Sequence, residues 1–424
     1  MMVKAKTLSD VYNNFEGNKP LSVDEYDFFV NIYDKKLKRF IGNVQRNTNY
    51  QNIFFIAGQR GNGKSTILNN LKHRNTTFET NYEIRHLQAM ELLDYDDIDI
   101  VDILLIIGFN LIDDNGLDDH NKKLLIEEFK VKLTKLEQVN NGELEITEQV
   151  IDNDIGEHKF KAHLDAKVKF FSFFSSGAEL SSTYKSDKNI RKEAKRIYKF
   201  KTKDLLTIIN DLFLEYRRLN NNKKDILLIL DGLEKLKDID DIFTKDINLL
   251  RDIKCYKIIT MPVYLKETVD VYDVKAIDFT MEVDNHGNIK NKELLRTVVE
   301  NRIDDGVELI TSEAIDIAIE MSGGNLRQLL NIVQTASSEA MDIFETDKIG
   351  VDEVTSAVEV LKGHLASRTQ FYSQFLNGID QNHKVESVED KDTLSKTLQS
   401  GLVFAYFNGR VYYAVNPIIK DNLV

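Results

Sequence analysis

Several common protein classes are excluded by what this chain lacks. It has one cysteine, Cys255, in 424 residues. That rules out an internal disulfide framework and a cysteine-rich zinc site, and it fits a reducing compartment. Cys255 precedes an apolar strand and is expected to be a small core residue. No apolar run reaches the roughly 18 residues needed to cross a bilayer. The best candidate, around residues 98–112, is broken by Asp99 and Asp102. Residues 1–10 carry no signal-peptide apolar stretch. A cytoplasmic protein without a membrane partner is expected. Excess positive charge is also absent. The net charge is −13, so any nucleic-acid contact needs a local basic patch.

What is present has the length of two or three domains. Residues 1–50 read as a polar lead-in with a helix from about Asp24 to Val44. Ile53-Phe54-Phe55-Ile56-Ala57 reads as a buried strand, followed by a glycine-rich loop and a helix from Thr66 to His73. A second strand is expected at Tyr82 to Gln88. An acidic stretch (Asp94, Asp96, Asp97, Asp99, Asp102) then leads into an apolar helix at about Val101 to Leu111. Those acids are expected as a solvated loop and helix N-terminus.

Residues 112–204 read as an insertion. It holds an amphipathic helix near Leu117 to Glu137 and the aromatic cluster Phe170, Phe171, Phe173 and Phe174. A segment at 185–203 has nine Lys/Arg against two acids. Lys188, Arg191, Lys192, Lys195, Arg196 and Lys199 recur along one side of a helix. Cations beside aromatics suit single-stranded nucleic acid. A solvated basic helix face is the plainer alternative.

Strands then recur at Asp225 to Leu230 and Tyr256 to Met261, with helices at Asp204 to Leu219 and Ile242 to Ile253. Such alternation predicts a parallel sheet covered by helices on both faces. Residues 291–363 are helical only.

The loop after the first strand carries the sharpest chemistry. Gly58, Gln59, Arg60, Gly61, Asn62, Gly63, Lys64, Ser65 and Thr66 match G-x-x-x-x-G-K-[ST]. Glycines let successive N–H groups turn toward phosphate oxygens. The helix that starts there adds its positive dipole end. Lys64 is placed for the β and γ phosphates, and the Ser65 hydroxyl for magnesium. Asp231, at the tip of an apolar strand, is the second candidate magnesium ligand. Glu234 either activates the attacking water or opens a surface helix. ATP with Mg2+ is the expected ligand.

These residues resemble the AAA+ ATPases, in particular the Orc/Cdc6-like and related STAND-type branches. The resemblance covers roughly residues 45–363. It adds Thr260, in Lys257-Ile258-Ile259-Thr260-Met261-Pro262, as a polar sensor. It also adds Arg327, in Ser322-Gly323-Gly324-Asn325-Leu326-Arg327, as a lid arginine reaching the γ phosphate. The local reading of Arg327 agrees. Asn325 can cap a helix, and an arginine in the first turn is disfavoured unless an anion is near. A surface arginine paired with a glutamate is the alternative.

Two departures stand out. Gly232 occupies the position where such proteins carry a glutamate after the magnesium aspartate. No arginine lies between Arg251 and Arg296 to serve as a finger in trans, which leaves Lys266 or the insertion as a substitute. Slow or regulated hydrolysis is expected.

The implied fold class is α/β. It is a P-loop NTPase with an AAA+-type parallel sheet, a helical lid and a C-terminal winged-helix-like domain. The expected domains are a lead-in (1–50), a nucleotide core (51–290), the lid (291–363) and the C-terminal unit (364–424). In the last, helices near Ser367 to Asn377 and Asp390 to Gln399 precede Val403-Phe404-Ala405-Tyr406-Phe407 and Val411-Tyr412-Tyr413-Ala414-Val415, joined through Asn408-Gly409-Arg410. Asn-Gly between β-rich runs predicts a hairpin. Residues 365–424 hold six Lys/Arg and six Asp/Glu, which favours a protein contact over DNA.

Three functions compete. The first is a regulatory ATPase whose nucleotide state is read by a protein partner or effector. The second is a nucleic-acid-binding initiator or loader using Lys188, Arg191, Lys192, Lys195 and Arg196. The third is a scaffold with a relict site. The resemblance suggests bacterial antiviral defence for the first, and homo-oligomerisation is left open.

Overall fold

The computed structural model describes residues 2–74, 76–113, 117–138, 174, 179–220, 224–237, 239–266, 269, 275–284, 287–385, 390–407 and 411–423. The predicted aromatics Phe170, Phe171 and Phe173, and the turn Asn408-Gly409-Arg410, lie outside them.

Five strands, β1 (Ile53–Ala57), β2 (Tyr82–Gln88), β3 (Asp225–Asp231), β4 (Tyr256–Met261) and β5 (Lys275–Asp278), form one sheet in the order β2-β3-β4-β1-β5. Every pairing is parallel. The central strands are apolar on both faces because both faces are covered. Side chains alternate between two cores. Phe54, Ile56, Leu227, Ile229 and Ile258 enter one, and Ile53, Phe55, Ile226, Leu228 and Ile259 enter the other. The first core also takes the N-terminal helices, the lid and the C-terminal segment. The second takes the insertion helices and the apolar helix Ile100–Asp113. This is the α/β architecture expected, with phosphate loop and Asp231 at the carboxyl ends of β1 and β3.

Three expectations need correction. The lead-in is not one helix from Asp24 to Val44. A 3-10 turn Val23–Phe28 and a helix Asp34–Gln45 are separated by extended chain, with Phe29 at φ −73° and ψ 120°. Phe28, Ile32 and Tyr33 bury there, and a continuous helix could not follow the cavity wall. The helix expected at Ile242 to Ile253 is two short ones, Asp240–Thr244 and Ile247–Arg251. No break occurs at residues 363–364, because one helix spans Val351–Phe371. A second helix, Ser373–Asn382, follows it.

The hairpin β7 (Val403–Phe407) and β8 (Val411–Val415) pairs antiparallel as expected. Its other edge is taken by β6 (Met281–Glu282), which runs parallel to β7 and follows directly from the nucleotide core. The C-terminal hairpin is thereby sewn onto the core.

Candidate functional site

The phosphate loop needs its glycines for two separate reasons. Gly61 (φ +93°) and Gly63 (φ +79°) adopt the left-handed conformation. A Cβ at Gly61 would also lie 2.5 Å from Asn325 Oδ1, because the lid sits directly on the loop. Asn325 caps the helix Leu326–Asp342 by accepting from Gln328 N–H. It also donates to the Arg60 carbonyl (2.9 Å) and to Asn62 Oδ1 (3.1 Å). One residue therefore starts the lid helix and fixes it to the loop. Arg327 follows, and its backbone N–H donates to the Gly61 carbonyl at 3.2 Å.

Lys64 is 4% exposed. Its ammonium donates to the carbonyls of Gly58 (2.8 Å) and Gln59 (3.0 Å) and pairs with Glu234 Oε1 at 3.1 Å. The position of Glu234 follows from Gly232. That residue has φ +87° and opens the 3-10 turn Leu233–Lys235, which folds Glu234 back into the site. A glutamate at 232 would be strained in that conformation. Its usual duty has a candidate two residues further on, and Glu234 is buried rather than a surface glutamate.

Thr260 is fully buried in β4. Its hydroxyl accepts from Gly232 N–H at 2.7 Å and donates to the Leu230 carbonyl at 3.4 Å. It holds the turn that carries Asp231 and Glu234, so it acts through backbone rather than on a phosphate directly. The Ser65 hydroxyl lies near enough to Asp231 to favour its ionised form, and His86 Nε2 lies 3.6 Å from its Oδ2. Burial opposes its ionisation, but His86, the Lys235 charge and the Ser65 hydroxyl outweigh burial and hold it below the usual carboxylate range.

Arg327 Nε donates to the Gly17 carbonyl at 3.1 Å. Burial and the Arg60 charge depress its pKa to about 10, against the pull of Glu234. An uncompensated cation here is stabilised by an anionic ligand.

Among the described residues, three buried polar atoms at this end lack a hydrogen-bond partner: Asp231 Oδ1, Glu234 Oε2 and His86 Nε2. Buried groups of this kind are ordinarily satisfied. Two orphaned carboxylate oxygens beside a serine hydroxyl fit a hydrated magnesium ion. Among the described residues no cluster of three or more His, Cys, Asp and Glu forms a metal cage. Magnesium bound chiefly through one carboxylate, a hydroxyl, waters and phosphates needs none.

A cavity of about 380 Å³ adjoins the loop. That size suits a small-molecule ligand. Lys64, Ser65, Thr66, Glu234 and Arg327 line it together with the apolar Phe29, Val30, Ile32, Val298, Leu326 and Leu330. Residues 16–22 also line it, with the Leu21 N–H donating to Thr66 Oγ1 at 3.3 Å. Sequence reading missed this apolar lining. Its one local signal was the aromatic run Tyr26 to Val30 inside a polar lead-in.

The basic helix is built differently from the expectation. Arg191 is buried and paired with Asp94. Lys195 pairs with Asp97 (2.8 Å) and Asp102 (2.9 Å), and Arg196 with Glu193 (2.9 Å). Asp96 and Asp97 are exposed and Asp99 and Asp102 stand at the start of the helix Ile100–Asp113, as expected, but Asp94, Asp97 and Asp102 also pair with the basic helix. Lys188 and Lys192 remain exposed. Phe174 packs against Phe109 and Phe129 in the core instead of offering a stacking platform. Lys266 is mostly buried beside Asp278 at 3.5 Å, which removes it as a finger donated in trans. Cys255 is buried, as expected of a core residue.

Strand order, phosphate loop and the carboxylate at the tip of β3 agree with the α/β P-loop architecture expected from the sequence. No protein-family model matches the chain, and the search of curated proteins gave no match. Among solved structures it is similar to the Orc1 protein of Aeropyrum pernix in complex with DNA, with 11% identity, 92% of both chains covered and a TM-score of 0.37. It is also similar to Cdc6p of Pyrobaculum aerophilum, with 10% identity, 98% of this chain and 99% of that chain covered, and a TM-score of 0.35. Among the described residues no helix is long and apolar enough to cross a membrane.

Proposed function

We propose that this chain is an ATP-binding regulatory ATPase whose nucleotide state is transmitted to its C-terminal hairpin and read there by a protein partner. One chain of contacts carries this reading. Lys64 donates to the backbone carbonyl of Gln59. The Gln59 side chain, 4% exposed, reaches the hairpin. Its Nε2 donates to the Val403 carbonyl at 3.0 Å, and its Oε1 accepts from Ala405 N–H at 2.9 Å. It occupies β7 as a neighbouring strand would.

A triphosphate competes for the Lys64 ammonium, because a charge-assisted bond to phosphate is stronger than one to a carbonyl. Loss of the Lys64 bond frees the Gln59 peptide, and with it the hold on β7. The lid moves with the same hairpin. Tyr406 donates its hydroxyl proton to the Gly323 carbonyl at 2.9 Å, and Gln328 and Asn416 exchange amide bonds at 2.8 Å each way.

The same competition releases Glu234 from Lys64. Its carboxylate then accepts the proton of an attacking water, while Lys64 and Arg327 stabilise charge on the transferred phosphoryl group. Magnesium held by Ser65 and Asp231 would supply charge neutralisation on the phosphates. Turnover is slow in this reading, since Glu234 must first leave its ion pair.

Hydrogen exchange of residues 403–415 with and without magnesium and a non-hydrolysable ATP analogue tests it. Altered hairpin exchange in the native chain, absent in Lys64→Ala, is expected. Bound nucleotide with unchanged hairpin exchange would remove the switch while leaving the site. A role in bacterial antiviral defence rests on the motif resemblance alone, and phage plating unchanged by deletion of the gene would refute it.

A further inference from the structure

We propose that His86 is a positioning residue of the divalent-cation site, donating from Nε2 to a water in the ion's hydration shell and through it orienting Asp231. The inference rests on the ATP–magnesium reading above and assigns it a further residue.

The geometry comes from the sheet. β2 and β3 run parallel in a register that sets Gln88 against Asp231 and His86 against Ile229. His86 thus stands two residues behind the carboxyl tip of its strand. Its side chain is 3% exposed, and Nε2 faces Asp231 Oδ2 at 3.6 Å. That separation is too long for a direct hydrogen bond. Nε2 has no other hydrogen-bond partner, and Asp231 Oδ1 also has none.

Nε2 faces Oδ2, and the unpaired Oδ1 belongs to the same carboxylate, so one water held by Nε2 and Oδ1 satisfies both. Magnesium retains several waters and is dehydrated reluctantly, so such a water belongs in its shell. Imidazole is a poor inner-sphere ligand for magnesium but a good one for softer divalent ions. An outer-shell role therefore suits magnesium specifically.

The test uses the full chain and a fluorescent ATP analogue. Affinity is measured in chelator and then across a magnesium titration. His86→Ala is expected to raise the magnesium concentration at half-effect by roughly 10–100-fold, the usual cost of losing an outer-shell partner. Affinity in chelator stays unchanged, and His86→Asn, which keeps a donor, recovers part of the loss. An unchanged magnesium midpoint in His86→Ala overturns the proposal. So does an equal loss of affinity with and without magnesium, which marks a packing role. If His86→Ala fails to fold, His86→Phe, which keeps a ring and removes the donor, decides instead. A magnesium midpoint raised about tenfold or more supports the proposal, and an unchanged midpoint or a loss independent of magnesium overturns it. Absence of any nucleotide binding by the native chain instead defeats the ATP reading and this inference with it.

Discussion

Two groups of buried charges on this fold are satisfied in different ways. Where the insertion packs on the helix Ile100–Asp113, both oxygens of Asp102 are occupied. Tyr184 donates to Oδ1 (2.8 Å), and Asp99 N–H (3.0 Å) and Lys195 (2.9 Å) donate to Oδ2. At the phosphate loop, Asp231 and Glu234 each keep one oxygen unpaired. The first group fastens the helix Lys188–Tyr198 to the core, and its one unpaired atom among the described residues is Arg191 Nε. The second is left short of partners on its carboxylates, as a site that a ligand completes would be. Burial and charge are alike in the two groups, and the unpaired carboxylate oxygens are what differ.

The strongest test of that contrast is Glu234→Gln. Hydrolysis should fall by about 10²–10⁴-fold, the usual range for loss of a general base, with nucleotide affinity kept. Phosphate release and equilibrium binding measured side by side check it. Equal loss of both would make Glu234 a binding residue. Lys64→Ala comes next. Removing charge-assisted bonds worth about 1.5–3 kcal/mol should weaken nucleotide binding roughly 10–100-fold, measured by calorimetry.

The Asp102 cluster should respond to pH rather than to nucleotide. Burial raises Asp102 to about 6, from an ordinary value of 3.8. The folded chain thus binds an extra proton between those values. This group's contribution to stability is full below about 3.8 and is lost as pH rises through 6. The contribution is of order 2–3 kcal/mol. Asp102→Asn should remove that component, seen as a flatter pH dependence of denaturant midpoints between pH 4 and 7.5. Nucleotide affinity should not change.

The smallest effect is expected at Lys188 and Lys192. Their alanine variants should alter stability by less than about 0.5 kcal/mol. Should the chain bind nucleic acid through them, each substitution lowers the salt slope by about one, and a salt-resolved titration detects it.

Much of the fold was legible because it rests on local signals. An apolar strand, a glycine-rich loop and a helix are adjacent in sequence and in space, so the Gly58 to Thr66 motif could be read directly. Asp231 and the hairpin strands were legible for the same reason, and so was Asn325 as a cap. The misreadings concern partners distant in sequence. Arg191 and Asp94 are 97 residues apart, and each looked solvated alone. Gln59 and Ala405 are 346 apart, so nothing near either marked the loop as an anchor for the hairpin. Thr260 is expected as a polar sensor, and nothing local marked its bond to Gly232 N–H, 28 residues away in sequence.

Local chemistry alone determined that this chain carries a phosphate-binding loop, a carboxylate-tipped strand and a parallel sheet. Backbone conformation and apolar periodicity act over a few residues, and the sequence displays them openly. Tertiary structure decided which charges neutralise one another and which wait for a ligand. It also decided that Glu234 folds back on Lys64 and that the hairpin grips the loop. Those outcomes depend on the relative placement of whole elements, which the packing of two cores against one sheet sets and which no local pattern records.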